Sequence, residues 1–167
     1  MIFITTGTQE PFERLIKAMD EVAPKLSGMP IMAQAFKTGY FVQNFDIIEF
    51  MSPTDFEHYF NEAHLIVSHA GMGTIITALQ RNKPILVLPR LLKYKEHRSD
   101  HQYDTAKKME ELGYINVAYD EKELQNKLVT LLAAEDLNGL HKISQHASEG
   151  LINSIKDSLR IKKSFLK

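Results

Sequence analysis

The segment Ser68-His69-Ala70-Gly71-Met72-Gly73-Thr74 places two glycines between an apolar run and a helical pattern. Glycines let a backbone approach a ligand closely. The helix that follows offers unpaired N–H groups and a positive dipole end, which suits a diphosphate. A plain strand-to-helix turn also accommodates glycines, so the local pattern leaves both readings open. The G-x-G-x-x-G fingerprint of dinucleotide binding is absent, because Ile76 stands where the third glycine belongs. Gly7-Thr8 breaks an earlier apolar run in the same way. It can add N–H groups and a hydroxyl to the same phosphate site, or simply turn the chain.

A third stretch, Pro89 to Gln102, is long, polar and basic. Arg90, Lys93, Lys95 and Arg98 are able to neutralise phosphate charge. Asp100 and Gln102 are side chains that hydrogen-bond sugar hydroxyls well. Ser99 and Gln102 also have the spacing of a capping box, so capping and binding compete for Gln102. A solvated loop with a helix cap is the plain alternative. His97 and His101 lie four apart, but the pattern H-R-S-D-H lacks the glutamate of the H-E-x-x-H zinc motif, and no metal is expected. Ser68 and His69 are not expected to work as a hydrolase pair, because adjacent strand residues point to opposite faces.

These loops need a scaffold, and apolar patterning supplies one. Met1–Thr6, Ile31–Phe36, Phe45–Met51, Leu65–Ser68, Pro84–Leu88 and Tyr114–Ala118 read as buried strands. Helical spacing follows the first strand at Phe12, Leu15, Ile16, Met19, Val22 and Ala23, with Pro11 in the first turn. The link between the second and third strands is about ten residues, near the lower limit for a helical crossover, so an irregular loop is expected there. Further helices are predicted over Asp55–Glu62, Thr74–Gln80, Ser99–Leu112 and from Asp120 onward, the last with Leu124, Leu128, Leu131 and Leu132 on one face. A final helix carries Leu140, Ile143, Ala147, Leu151, Ile155 and Leu159, and ends in a basic amphipathic tail. Alternating strands and helices imply an α/β domain, a mostly parallel sheet covered on both faces. Ligands of such folds bind at the carboxyl ends of strands, which selects the loops at Gly7, at His69–Thr74 and at Pro89–Gln102.

The chain has 167 residues, enough for one domain over 1–167, with 139–167 as its last helix and tail. Twenty basic and 21 acidic residues leave a formal charge of −1, which argues against a general nucleic-acid binder. No cysteine is present, so disulfides, thiolate metal sites and a cysteine nucleophile are excluded. The N-terminus lacks a signal pattern and no apolar stretch approaches the length of a membrane span. A cytosolic protein is expected, with membrane contact only peripheral or through a partner. The tail over 156–167 suits an acidic membrane surface, a partner, or plain solvent.

Four stretches in order carry a resemblance: Phe3–Thr8 (F-I-T-T-G-T), Leu65–Leu79 (L-I-V-S-H-A-G-M-G-T-I-I-T-A-L), Lys83–Pro89 (K-P-I-L-V-L-P) and P-R-L-L-K-Y-K-E-H-R-S-D-H-Q. Their order and spacing over about residues 1–135 resemble the C-terminal domain of glycosyltransferase family 28. Within that family the likeness is to small subunits of split enzymes, eukaryotic ones acting on dolichol-linked acceptors and bacterial ones of exopolysaccharide and capsule assembly. The resemblance implies a single Rossmann-like domain, the C-terminal half of a GT-B glycosyltransferase, binding a UDP-sugar. It places Gly7 and Thr8 at the diphosphate or the interdomain cleft. It places His69, Ala70, Gly71, Met72, Gly73 and Thr74 at the diphosphate and ribose, and Asp100, His101 and Gln102 at the sugar. Many relatives bind ribose through a glutamate in the helix after the glycines; Thr77 stands at that place here.

The resemblance further implies an inverting hexosyltransferase that needs no cofactor beyond its UDP-sugar substrate. A membrane-associated subunit would supply the acceptor half, and a lipid-linked saccharide would be the acceptor. Arg90, Lys93 or Arg98 would take up the charge of the departing diphosphate. The base would be His69, His97 or a group of the partner. A non-catalytic nucleotide-sugar-binding subunit is a rival reading. A sugar-nucleotide epimerase-like enzyme is another, disfavoured because such epimerases carry both domains in one chain.

Overall fold

The apolar run that opens the chain becomes the middle of the sheet. In the computed structural model, which describes residues 1–26 and 28–133, β1 (Ile2–Thr5) is buried at every position. It pairs in parallel with β2 (Ile31–Gln34) on one side and with β4 (Leu65–Ser68) on the other. β3 (Asp46–Ile48) extends the sheet beyond β2, while β5 (Ile85–Val87) and β6 (Asn116–Val117) extend it beyond β4. The six strands, all parallel, run in the order β3-β2-β1-β4-β5-β6. This is the doubly wound Rossmann order, in which the strand sequence reverses at β1 and β4.

Side chains alternate across the sheet and fill two cores. Ile2, Ile4, Leu65, Val67 and Leu86 pack with α1 (Glu13–Val22) and α5 (Glu121–Ala133), whose Leu15, Ile16, Leu124 and Leu128 are buried. Phe3, Ile66, Ile85 and Val87 pack on the opposite face with α2 (Pro53–Glu62), α3 (Met72–Gln80) and α4 (His101–Glu111). There the Phe3 ring meets Phe56 edge-on at 5.3 Å and Phe60 at 6.2 Å. Both faces are therefore covered, as continuous apolar strands require.

No helix forms between β2 and β3, as their short link predicts. One buried carboxylate organises that loop instead. Asp20 of α1 accepts hydrogen bonds from Gln43 N, Asn44 N, Asn44 Nδ2 and Tyr40 Oη, at 2.9 to 3.1 Å.

Several boundaries differ from the sequence expectation. α1 starts at Glu13, so Pro11 lies before the helix rather than in its first turn. α3 starts at Met72, two residues early, because Gly71 already adopts the extended N-cap conformation. α4 is capped by Asp100, not Ser99, and among the described residues no side chain accepts its first N–H groups. The capping box fails because Gln102 turns away to the backbone of Arg90. β6 keeps only two residues of the Tyr114–Ala118 run. The expected last helix and tail over 139–167 lie outside the described residues.

Candidate functional site

The registers of β1, β4 and β5 bring Thr5, Ser68 and Val87 level, so the loops after them leave the sheet at one place. A cleft of about 720 Å³ opens there, at the switch point of the sheet. Thr6 to Glu10 form one wall and Leu92 with Lys95 to Arg98 the other; His69, Arg90 and Gln102 complete it.

His69 follows directly on β4, and its ring is held between two glycines. A Cβ on Gly7 would lie 3.2 Å from His69 Cε1, and one on Gly71 only 2.3 Å from Nε2. Gly7 also has φ +76°, a left-handed conformation that side chains rarely adopt. Burial pulls the His69 pKa from 6.5 down to about 4; the positive charges of Arg90 and His97 add to this, and only the Thr5 backbone opposes it. The imidazole is therefore neutral at pH 7.

Ser68 and His69 do not point apart. Ser68 Oγ lies 3.4 Å from His69 Nδ1, because the strand ends at Ser68 and its alternation stops there. The pair is still no hydrolase dyad, for a different reason: Ser68 is fully buried and out of reach of a substrate.

The polar groups beneath the loops are largely engaged with one another. Gln34 at the end of β2 accepts from Thr5 Oγ1 at 2.9 Å and donates to Glu49 O at 2.9 Å and Gly7 O at 3.3 Å. It thereby fixes the Gly7 turn. Arg90 is buried, and its guanidinium donates to Thr6 O, Glu10 O, Pro11 O and Glu96 O at 2.6 to 3.3 Å. Arg14 of α1 grips both carboxylate oxygens of Glu96, at 2.8 and 2.9 Å, and donates to Pro89 O at 2.7 Å. By contrast the exposed side chains of Lys95 and Arg98 reach the cleft wall without such partners among the described residues.

The family model of the glycosyltransferase family 28 C-terminal domain matches residues 1–158. The chain belongs to this family. The UDP-N-acetylglucosamine transferase subunit ALG13 of Cryptococcus neoformans is 37% identical over 93 residues, 54% of this chain and 44% of that protein. The subunit of the same name from Candida albicans is 32% identical over 80 residues, 48% of this chain and 26% of that one. Each match thus spans less than half of the relative's own length. Solved structures share the fold. The solution structure of ALG13 superimposes with a TM-score of 0.59 at 20% identity, covering 92% of this chain and 93% of that one. The UDP-GlcNAc 2-epimerase of Neisseria meningitidis gives 0.63 at 16% identity, covering 96% and 44%. MurG of Acinetobacter baumannii gives 0.56 at 22% identity, covering 82% and 42%.

In this family 28 domain the cleft gathers Gly7, Thr8, His69, Arg90, Lys95, His97, Arg98 and Gln102 from the residues singled out in the sequence. Arg90 is present but committed to carbonyls, so it supplies charge to the floor rather than a free donor. Gln102 uses Oε1 to accept from Arg90 N at 3.2 Å, which leaves its amide N–H groups for a ligand. Ala70 is buried beneath the turn. Met72, Gly73 and Thr74 form the first turn of α3 beside the cleft rather than its wall. Their N–H groups precede the first helical bond, from Ile75 N to Gly71 O, and among the described residues no side chain caps them. Thr77 donates its hydroxyl to Gly73 O at 2.8 Å. Asp100 turns inward to accept from Leu92 N at 2.8 Å, and His101 is exposed; neither lines the cleft. Lys93 lies over the Tyr94 ring and outside the cleft. His97 Nδ1 lies 3.1 Å from Ser99 O.

Sequence reasoning missed Gln34, Arg14 and Glu96. Gln34 had a signal, a polar residue inside an apolar strand. Arg14 and Glu96 had none, since a helix and a polar loop both carry charges without a role.

Proposed function

We propose that this chain is the donor-binding, catalytic subunit of an inverting glycosyltransferase that uses a UDP-sugar. The observation that carries this reading is the cleft at the switch point. A neutral imidazole is held there between two glycines, in a cleft also lined by Lys95 and Arg98, which have no partner among the described residues, and beside the start of α3. Such an arrangement suits a diphosphate. The names of the similar ALG13 subunits favour a UDP-N-acetylhexosamine among UDP-sugars.

The reaction is a single displacement. A base takes the proton of the acceptor hydroxyl, the oxygen attacks the anomeric carbon, and UDP leaves with the electrons of the broken bond. Lys95, Arg98 and the N–H groups of Met72, Gly73 and Thr74 would receive the charge that develops on UDP. His69, neutral and confined, is suited to hydrogen-bond a phosphate oxygen. His97, on the opposite wall and less confined, is the better placed base of this chain.

The acceptor half belongs, in this reading, to a membrane-associated partner subunit. The acceptor is a lipid-linked saccharide of exopolysaccharide or capsule assembly. The resemblance of the ordered motifs in the sequence to bacterial subunits of such pathways is the ground for this assignment. Among the described residues no helix is long and apolar enough to cross a membrane, so contact with a lipid-linked acceptor would run through that partner or a peripheral surface.

Calorimetric titration of the chain with UDP, ADP and GDP tests the donor, and sugar transfer with and without the partner tests the rest. UDP is expected to bind tightest and transfer to need both chains. Equal affinity for the three nucleotides would remove the reading. A His97→Ala chain that keeps UDP affinity and full transfer would leave the catalytic role to the partner, and the chain as a donor-binding subunit.

A further inference from the structure

The two loops that wall the cleft come from different strands, and side chains rather than a sheet ladder join them. Arg90 opens the second loop and donates across to three carbonyls of the first, those of Thr6, Glu10 and Pro11, at 2.6 to 2.9 Å. A fourth bond, to Glu96 O at 3.3 Å, closes back on its own loop. Behind it Arg14 fixes the Glu96 side chain in a bidentate pair, and Glu96 Oε2 also accepts from Leu91 N at 3.1 Å. The pair is shielded, with side chains only 8% and 11% exposed. Phe12 lies under both guanidiniums, 4.7 Å from Arg90 and 5.3 Å from Arg14. Lys95, just before Glu96, is held at φ +58°, a conformation that costs a lysine energy unless its surroundings impose it.

We infer that Arg90, backed by the Arg14–Glu96 pair, is a positioning residue that sets the spacing of the two walls, so that Lys95 faces the diphosphate before the donor arrives. This rests on the donor-site reading above. The physical reason is the shape of guanidinium: a planar fork bonds four carbonyls at fixed angles, which the point charge of lysine on a flexible stem does not reproduce. Ordering the loops in the free protein removes that cost from binding.

The test measures UDP affinity by calorimetry on the full chain and on the Arg90→Lys, Lys95→Met and doubly substituted chains, each shown folded at the assay temperature by circular dichroism. Arg90→Lys keeps the charge and is expected to weaken UDP about tenfold. Lys95→Met should weaken UDP in the natural background but add little once Arg90 is lysine, because the lysine is then no longer aimed. Unchanged affinity in Arg90→Lys, or losses that simply multiply in the double variant, would overturn the positioning role. Multiplying losses are also what a direct phosphate contact by Arg90 predicts. Should Arg90→Lys not fold, Glu96→Gln takes its place in the same cycle and is read in the same way. A natural chain that binds no UDP defeats the donor-site reading itself, and this inference with it.

Discussion

Gly71 stands so close to the His69 ring that a β-carbon there would come within 2.3 Å of Nε2. No pair of atoms tolerates that distance without movement, and the ring has Gly7 on its other side, where a β-carbon would lie 3.2 Å from Cε1. The two glycines are thus the walls of a slot for one imidazole. They permit a close approach of backbone to ligand only after permitting a close approach of backbone to His69.

Gly71→Ala should therefore displace the ring or the turn. Overpacking of this kind costs about 1–3 kcal/mol. UDP affinity should fall along with stability, since the displaced ring enters the cleft. Urea denaturation and calorimetry measure the two effects. Removing the ring restores space, so Gly71→Ala combined with His69→Ala should lose less stability than the two single losses added together. Strict additivity would show that the ring is not what the methyl meets.

The buried imidazole also fixes a pH dependence. The folded pKa of His69, about 4, lies below its ordinary value of 6.5, so the unfolded chain binds the extra proton first. Stability from this group is complete above pH 6.5 and is lost as pH falls from there towards 4. The full difference amounts to roughly 3 kcal/mol. Chemical denaturation across pH 4 to 7 should show this decline, and His69→Asn should flatten it. An NMR titration that places the His69 pKa near 6.5 would contradict the account.

The scaffold was readable in the residues because apolar periodicity depends on burial alone. Every strand lies within an apolar run, and the glycine turn sits between strand and helix as its composition requires. What the pattern could not reveal was how polar side chains would be shared out. Arg90 and Lys95 belong to one basic loop and look alike as phosphate ligands. One is used up by four carbonyls and the other is not, and that depends on which carbonyls the fold leaves without backbone partners. Gln102, read as either cap or ligand, and Asp100, read as a sugar ligand, were decided in the same way, by the nearest orphan N–H. Both went to the backbone of the second loop, at Arg90 and Leu92.

Asp20 offers a control far from the chemistry. Burial alone would raise its pKa above the ordinary 3.8, but hydrogen bonds from Asn44, Tyr40 and Gln43 outweigh burial and hold it lower. Its contribution is present above pH 3.8 and is lost only as pH falls below that, outside the His69 window. Asp20→Asn sets an amide N–H against donors and should cost about 2 kcal/mol. UDP affinity of the folded variant should not change. Thermal melts and calorimetry at pH 7 check both parts, and an equal loss of binding would mean that the loop between β2 and β3 reaches the donor site.

Lys95 and Arg98 should carry the salt dependence of donor binding. Both are exposed, so ions screen them over the Debye length of about 8 Å at 0.15 M salt. UDP affinity of the natural chain should fall as salt rises from 50 to 500 mM, which shortens the screening length from about 14 to about 4 Å. Replacing Lys95 by Met and Arg98 by Gln should each weaken UDP roughly threefold to tenfold at low salt, and together should remove most of the salt slope. Arg90→Gln should behave differently. It removes no phosphate contact and acts only through the aim of Lys95, so its loss should shrink at high salt and should all but vanish in the Lys95→Met background. A salt slope that survives the double replacement at 95 and 98 and vanishes with Arg90→Gln would reverse this division of labour between the buried cation and the exposed ones.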